Sequence, residues 1–178
     1  MPSVACAPQS LCSQQAIAPL GECLGGRLKS NAMKTQQNSS PRGEVGRGLP
    51  LNNNPLNIRR VAGTTWKGQR AEQTDHAFVQ FRTIEFGLRA AFVLLRTYSA
   101  KYHANCIRDI ISRWAPPTEN DTEKYIKNVC LWTGLGGLQR LTEEDWPKLV
   151  RAMGRQECGA LLDEETIQRG FELFKHPR

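Results

Sequence analysis

A stripe of apolar residues in the middle of the chain constrains its fold more than any other feature. Each member lies three or four residues from another member, which places them on one face of a helix. They are Leu88, Ala91, Phe92, Leu95, Tyr98 and Tyr102. We therefore predict a helix of about 18 residues from near Ile84 to Tyr102. Because the stripe needs apolar partners along its whole length, this helix should be the central helix of the core.

The sequence after this helix predicts two shorter helices. Asn105 is a candidate N-cap for the first, which ends before the proline pair at 116–117 because neither proline supplies an amide donor. Asn120 and Glu123 have the spacing of a capping box, which opens the second helix. That helix should run to Gly134, a typical C-cap residue.

Two further helices are predicted in the last part of the chain. One begins within residues 142–145, which leaves Pro147 in its first turn, and it has Glu157 at its end before Gly159. The other is capped by Asp163 and carries an apolar face. The apolar residues of that face are Ile167, Phe171 and Phe174.

The stretch before the long helix predicts a turn and a little β structure. Three asparagines and a proline at 52–55 favour an ordered turn, because asparagine side chains compete for backbone hydrogen bonds and proline removes a donor. Residues 64–66 and 77–81 are enriched in β-branched and aromatic types, so we predict a small hairpin. The predicted fold class is a mainly α domain with a small β-hairpin (α+β).

Composition divides the chain into a leader and one domain. Residues 1–48 are rich in Ser, Gln, Gly, Pro and Ala, so we expect a disordered leader, with Met33 as a candidate true start. Residues 49–178 suffice for one domain with a core. No apolar run reaches the roughly 18 residues that a membrane span requires. We expect no signal peptide, because residues 1–25 contain no Lys or Arg.

Charge and cysteine content argue against several function classes. The net charge is +7, but the 24 basic residues are scattered among 17 acidic ones, so we do not expect nucleic acid as a partner. Cys106, Cys130 and Cys158 lack paired spacing, which predicts reduced thiols, no metal site and no cofactor. No local nucleophile signature surrounds them, which argues against a cysteine peptidase.

An ordered series of motifs runs through the chain from about Leu51 to Phe174. The motifs are Asn-Asn-Asn-Pro-Leu-Asn-Ile-Arg at 52–59, Trp-Lys-Gly at 66–68, Phe-Val-Gln-Phe at 78–81, Glu-Phe-Gly-Leu-Arg-Ala at 85–90 and Arg-Trp-Ala-Pro-Pro-Thr-Glu-Asn-Asp-Thr at 113–122. Together they resemble a family of phage and prophage proteins, usually called virion structural proteins or virion-associated lytic proteins.

This resemblance implies a fold and a biological setting. The lytic members of the family are similar to lysozyme-like peptidoglycan hydrolases, so it implies a lysozyme-like helical domain that acts on the bacterial cell wall during phage entry or exit. The implied partners are peptidoglycan and other virion proteins. The implied location is the virion, or the bacterial cytoplasm before release to the cell wall.

A second likeness concerns the order of the elements. Residues 53–58, followed by Trp-Lys-Gly, are similar to the region after the catalytic helix of bacterial glucosaminidases. Those enzymes carry their acidic Glu upstream, where this chain has Glu44 in a Gly-rich segment. The chain has instead a predicted helix that ends in Glu157, Cys158 and Gly159. Our hypothesis is that this is the lysozyme-like catalytic helix in a permuted order, brought back against the turn at 52–59.

Glycoside cleavage needs a carboxyl with a raised pKa to protonate the leaving oxygen. Glu157 is the first candidate acid and Glu85 the second, although Glu85 also suits the dipole of the long helix by standing in its first turn. The predicted sugar-binding residues are Asn53, Asn54, Asn57, Trp66 and Gln80. Muramidase, glucosaminidase and lytic transglycosylase activity all stay open. The alternative is a non-catalytic virion structural or cell-wall-binding protein.

Overall fold

Five helices and a one-turn 3₁₀ segment dominate the computed structural model, which describes residues 52–118, 120–159 and 161–176. In chain order the elements are α1 Ile84–Tyr102, α2 Ile107–Trp114, α3 Thr122–Thr133, the 3₁₀ segment Glu143–Asp145, α4 Trp146–Cys158 and α5 Glu164–Lys175. The mainly helical class is thus confirmed. None of the described helices has both the length and the apolar character needed to cross a bilayer. The predictions for residues 1–48 lie outside the described residues.

Helix α1 lies at the centre of the core, and its bounds are those that the apolar stripe predicts. It packs most extensively against α5. The ring centroids of Phe92 and Phe171 are 5.0 Å apart at this contact. The two helix backbones approach closely because Gly170 lacks a side chain: a Cβ atom there would lie 2.6 Å from Cβ of Leu88.

The N-cap predicted for α2 is wrong by one residue. Cys106 occupies the N-cap position, and its side chain makes no capping hydrogen bond. The Asn105 side chain instead lies 2.5 Å from Oγ of Ser99 and donates to the backbone oxygen of His103. Asn105 therefore closes the loop between α1 and α2 and does not cap α2.

The capping box predicted for α3 is also wrong by one residue. Asp121 caps this helix, since its side chain accepts a hydrogen bond from the backbone N–H of Lys124. Glu123 is drawn away from the helix end by an ion pair with Arg108. The predicted end is correct, because Gly134 is the C-cap and has a left-handed φ of 72°.

Helix α5 starts where the sequence predicts, whereas α4 starts at Trp146, one residue after the predicted range, because residues 143–145 form a separate 3₁₀ segment. The 3₁₀ segment comes first, and α4 then begins with Pro147 in its first turn, where no backbone donor is needed. Asp163 caps α5 by accepting a hydrogen bond from the backbone N–H of Thr166.

The predicted hairpin is replaced by two isolated antiparallel bridges among the described residues. Arg59 pairs with Phe78, and Gln69 pairs with Phe81. No regular ladder of backbone hydrogen bonds extends from these bridges, because side-chain amides bond to some of the backbone groups that a ladder would pair. The buried Gln80 side chain accepts hydrogen bonds from two backbone N–H groups of the loop at 74–75. The prediction of strand pairing between residues 64–66 and 77–81 is therefore wrong.

The asparagine-rich turn is braced by its own side chains. Asn54 is 2% exposed, and its amide donates to the backbone oxygens of Ile58 and Val79, each at 2.9 Å. The same side chain accepts a hydrogen bond from the backbone N–H of Ile58. Asn53 adopts a left-handed φ of 51° and donates to the backbone oxygen of Phe81. These bonds fix the turn without regular secondary structure.

A glycine on α1 lets this turn rest directly on the central helix. A Cβ atom on Gly87 would lie 2.2 Å from the backbone oxygen of Asn53 and 3.2 Å from Cδ of Pro55. The contact is with main chain, which cannot move aside without disturbing the bracing hydrogen bonds. The position of the turn therefore depends on Gly87.

We predict that Gly87→Ala destabilises the protein by about 2 kcal/mol, because overpacking outweighs the roughly 1 kcal/mol that alanine gains over glycine inside a helix. Gly154→Ala is the matched control, since its Cβ would lie 3.1 Å from Cδ1 of Leu162, the end of a side chain that can rotate. The measurement is urea denaturation of both variants. Equal stability of Gly87→Ala and the wild type would contradict this account of the contact.

Candidate active site

Glu157 lies on the last turn of α4, where it meets side chains from the turn and from α3. Its Oε2 atom accepts a hydrogen bond of 3.2 Å from Nδ2 of Asn57, a residue 100 positions earlier in the sequence. Its Oε1 atom accepts a hydrogen bond of 3.0 Å from the hydroxyl of Tyr125. The structure thus brings the end of α4 against the asparagine-rich turn.

The backbone of the turn aims Asn57 at the carboxyl. Asn57 has a left-handed φ of 50°, which asparagine tolerates better than most residues. Its backbone N–H donates to the oxygen of Asn54, whose buried side chain fixes the neighbouring residues. The bracing of Asn54 therefore positions the amide that contacts Glu157.

Two large side chains enclose the carboxyl from α2 and α3. Tyr125 is 5% exposed, and Trp114, the last residue of α2, is fully buried. The indole Nε1 of Trp114 has no hydrogen-bond partner among the described residues. It lies close enough to Glu157 to lower the pKa of its carboxyl, although the two groups do not meet in standard hydrogen-bond geometry.

Burial raises the pKa of Glu157 from its ordinary value of 4.5 to about 7. The hydrogen bonds from Tyr125 and Asn57 and the nearby indole of Trp114 oppose this shift, because each stabilises the carboxylate. The negative end of the α4 dipole also disfavours a charge at this position. Within the described residues no charged group contributes to the pKa of Glu157. The carboxyl is therefore close to half protonated at neutral pH.

Glu85, the second candidate acid, lies in a different setting. It stands in the first turn of α1, and its Oε1 atom is 3.4 Å from Nε of Arg169 on α5. It is not among the hydrogen-bond partners of Glu157. The structure therefore places Glu85 in an ion pair between α1 and α5.

The predicted sugar-binding residues divide into two groups. Asn57 contacts Glu157. The side chains of Asn53 and Asn54 instead donate to backbone oxygens of the turn and of the segment around residues 79–82. Gln80 is 8% exposed and holds the loop at 74–75. Trp66 is partly buried against the edge of the core. Of these residues, Asn57 is the one that the structure brings to the acid.

The sequence did not identify Tyr125 and Trp114 as neighbours of Glu157. Both side chains are buried, which agrees with core packing. A usable signal did exist for Tyr125, since a tyrosine on the apolar face of a helix needs a partner for its hydroxyl. Its partner was not predictable from spacing, because Glu157 is 32 positions away on another helix.

A cavity of about 850 Å³ lies on the other side of α4. The α4 residues that line it include Lys148, Arg151 and Arg155, which follow one another at steps of three and four. Glu157 comes two residues after Arg155, about 200° further around the helix. The cavity is therefore separate from the carboxyl site.

The cysteines and possible metal ligands offer no competing centre in the described ranges. Cys106 and Cys130 are free thiols, and the thiol of Cys158 donates to the backbone oxygen of Gly154. Burial raises the pKa of the Cys106 and Cys130 thiols, which disfavours the thiolate that a cysteine peptidase needs. No group of three His, Cys, Asp or Glu side chains among residues 52–118, 120–159 and 161–176 could hold a metal ion.

Fold and site together define a mainly helical protein with a partly buried, hydrogen-bonded carboxyl at a helix end. No protein-family model matches the chain. Protein P5 of Pseudoalteromonas phage PM2 is 43% identical to it over 132 residues, which cover 72% of this chain and 82% of that protein. The chain therefore belongs to the same family as Protein P5, a phage protein. This relationship confirms the phage association that the motifs predict.

We predict that Glu157→Gln makes the protein more stable than the wild type above pH 7 and equally stable near pH 4. The pKa of Glu157 is raised in the folded state. The contribution of protonated Glu157 to the free energy of unfolding is therefore fully present below pH 4.5 and is lost as the pH rises through about 7. The shift corresponds to about 3 kcal/mol at most, and glutamine avoids this penalty.

The measurement is the free energy of unfolding in urea at pH 4, 6 and 8. Glu144→Gln is the matched control, because Glu144 is exposed. It should follow the wild type at every pH. A Glu157→Gln variant that is less stable than the wild type at pH 8 would show that burial of the ionised carboxylate does not destabilise the protein.

Proposed function

We propose that the chain is a phage-derived cell-wall lytic protein that cleaves peptidoglycan glycan strands, with Glu157 as the general acid. The observation that supports this most strongly is the setting of Glu157: a partly buried carboxyl at a helix end, whose pKa is raised to about 7 by desolvation and which accepts a hydrogen bond from Asn57. A helix end that carries an acid against an asparagine-rich turn is the arrangement expected of a lysozyme-like domain in permuted order.

The pKa of the acid suits the reaction. A glycosidic oxygen leaves readily only when it receives a proton as its bond to carbon breaks. An acid with a pKa near the working pH keeps its proton in many molecules and still donates it effectively. Glu157 meets this requirement because burial raises its pKa to about 7.

The absence of a charged neighbour among the described residues favours a mechanism with one carboxyl. A retaining or inverting pair needs a second carboxylate at a defined distance, whereas some glycosidases use the acetamido group of the substrate instead. Peptidoglycan sugars carry such a group. We therefore assign the second role to the substrate, and a two-carboxylate mechanism is not required.

The proposed reaction has two steps. Glu157 gives its proton to the leaving glycosidic oxygen, which keeps the electron pair of the broken bond while the acetamido oxygen attacks the anomeric carbon. The Glu157 carboxylate then takes a proton from the hydroxyl that displaces the acetamido oxygen. If that hydroxyl is water, the product is a reducing end; if it is the C6 hydroxyl of the same sugar, the product is a 1,6-anhydro end.

The family relationship supports the biological setting of this proposal. Membership in a phage protein family fits a lytic protein carried in the virion, or held in the bacterial cytoplasm before release to the cell wall. Peptidoglycan is its proposed partner, together with other virion proteins. The non-catalytic alternative, a virion structural or cell-wall-binding protein, fits the same relationship. An activity assay distinguishes it from the lytic proposal.

We predict that the wild type clears a zymogram of purified cell walls and that Glu157→Gln clears it at least about 100-fold more slowly, because general acid catalysis contributes that much or more. Clearing by the wild type should decline as the pH rises through about 7, since the carboxyl then loses its proton.

Two further variants separate the competing assignments. Glu144→Gln should clear like the wild type, and Glu85→Gln should also clear if its ion pair with Arg169 is structural. Loss of clearing in Glu85→Gln alone would transfer the role of the acid to Glu85. A folded wild type that binds cell walls without clearing them would favour the non-catalytic alternative.

A further inference from the structure

We infer that Trp114 and Tyr125 are positioning residues that act through Glu157, holding the carboxylate that forms when Glu157 gives up its proton. This inference rests on the proposed function, because the role matters only if Glu157 is an acid. The interactions themselves involve Trp114, Tyr125 and Glu157 and can be tested without a substrate. It assigns a role to a buried indole N–H that core packing leaves without explanation.

Donors from separate elements converge on this carboxyl. The hydroxyl of Tyr125 comes from α3 and the amide of Asn57 from the turn. The indole of Trp114 comes from the end of α2 and lies near the same carboxyl. All three donors are uncharged, so they orient the carboxyl without fixing it permanently in the ionised form.

The indole N–H is the informative member of this set. Trp114 is fully buried, and its Nε1 atom has no hydrogen-bond partner among the described residues. A buried donor without a partner is costly, and native structures rarely keep one without a reason. A small movement of the carboxyl toward the indole would pair it. Such a movement is favoured once the carboxyl becomes negative, because charge-assisted hydrogen bonds are the stronger ones.

This arrangement stabilises the transition state more than the resting acid. The donors gain strength as negative charge develops on Glu157, which is the differential interaction that lowers a reaction barrier. Because they are held by α2, α3 and the braced turn, they need little reorganisation at that moment. They thereby replace part of the solvation that burial removes from the carboxylate.

Among the described residues that contact Glu157, no other group titrates in the pH range in which Glu157 ionises. From the turn, α2 and α3, the groups that face Glu157 are Asn57, Trp114 and Tyr125, and only tyrosine can titrate. The pKa of Tyr125 is raised well above its ordinary value of 10, first by burial and then by the charge of Glu157. Its hydroxyl therefore stays a donor across the whole range in which Glu157 ionises.

The test is a direct titration of Glu157 by ¹³C NMR of carboxyl-labelled protein, with Glu157→Gln used to assign the signal. Tyr125→Phe and Trp114→Phe should each raise the titration midpoint by about half a pH unit or more, a factor of about three in the ionisation constant. The alkaline limb of cell-wall clearing should move upward by a similar amount.

Matched controls distinguish the loss of a hydrogen-bond donor to Glu157 from the loss of side-chain volume or of a hydroxyl elsewhere in the protein. Trp146→Phe removes the same atoms from another buried tryptophan, and Tyr102→Phe removes a hydroxyl at the far end of α1. Both should leave the midpoint of Glu157 unchanged. If Trp114→Phe fails to fold, β-(3-benzothienyl)alanine at position 114 keeps the shape of the indole and replaces its N–H by sulfur.

The outcomes distinguish this inference from the proposed function. Unchanged midpoints in both Tyr125→Phe and the position-114 variant would overturn the inference, even if the wild type clears cell walls. Raised midpoints in a protein that never clears cell walls would support the positioning of the carboxyl and reject the proposed function.

Discussion

The burial of a single carboxyl between a helix end and a turn is the constraint on which the candidate site depends. Glu157 is removed from most of its solvent at the negative end of α4, which raises its pKa to about 7. Hydrogen bonds from Asn57 and Tyr125 offset part of the cost of burying it. A position that works against stability in this way is typical of functional sites.

The rest of the fold holds these groups in place. Helix α1 supports the asparagine-rich turn at Gly87, where only a glycine leaves space for the backbone of Asn53. The buried side chain of Asn54 then ties the turn to the chain around Val79. The turn has little regular secondary structure, so its shape depends on side-chain amides. This explains why consecutive asparagines suit the segment that lies against Glu157.

Much of the helical fold was predictable, whereas the pairings that depend on three-dimensional contacts were not. The stripe of α1 predicted its bounds correctly because every buried position follows the helical period. The N-caps of α2 and α3 were each misplaced by one residue, since Asn105 and Glu123 found partners outside the helix ends. The hairpin prediction was wrong because the Gln80 side chain accepts backbone hydrogen bonds that a neighbouring strand would accept in a ladder.

The candidate site shows the same division. Glu157 and Asn57 were selected from the sequence as an acid at a helix end and an amide in the opposing turn, and the structure places them in contact. Tyr125 and Trp114 were not identified from the sequence as donors to Glu157. Burial alone accounts for an aromatic side chain, and the partner of its polar atom is visible only once the helices are packed.

The proposed role of Glu157 as the acid in glycan cleavage can be tested by mass spectrometry of the soluble fragments that the protein releases from purified peptidoglycan. We expect disaccharide-containing fragments with new glycan ends to appear with the wild type and not with Glu157→Gln. An anhydro end would identify internal attack by the C6 hydroxyl, and a reducing end would identify attack by water. Fragments with intact glycan and cleaved peptides, or the same glycan ends from Glu157→Gln, would contradict the claim.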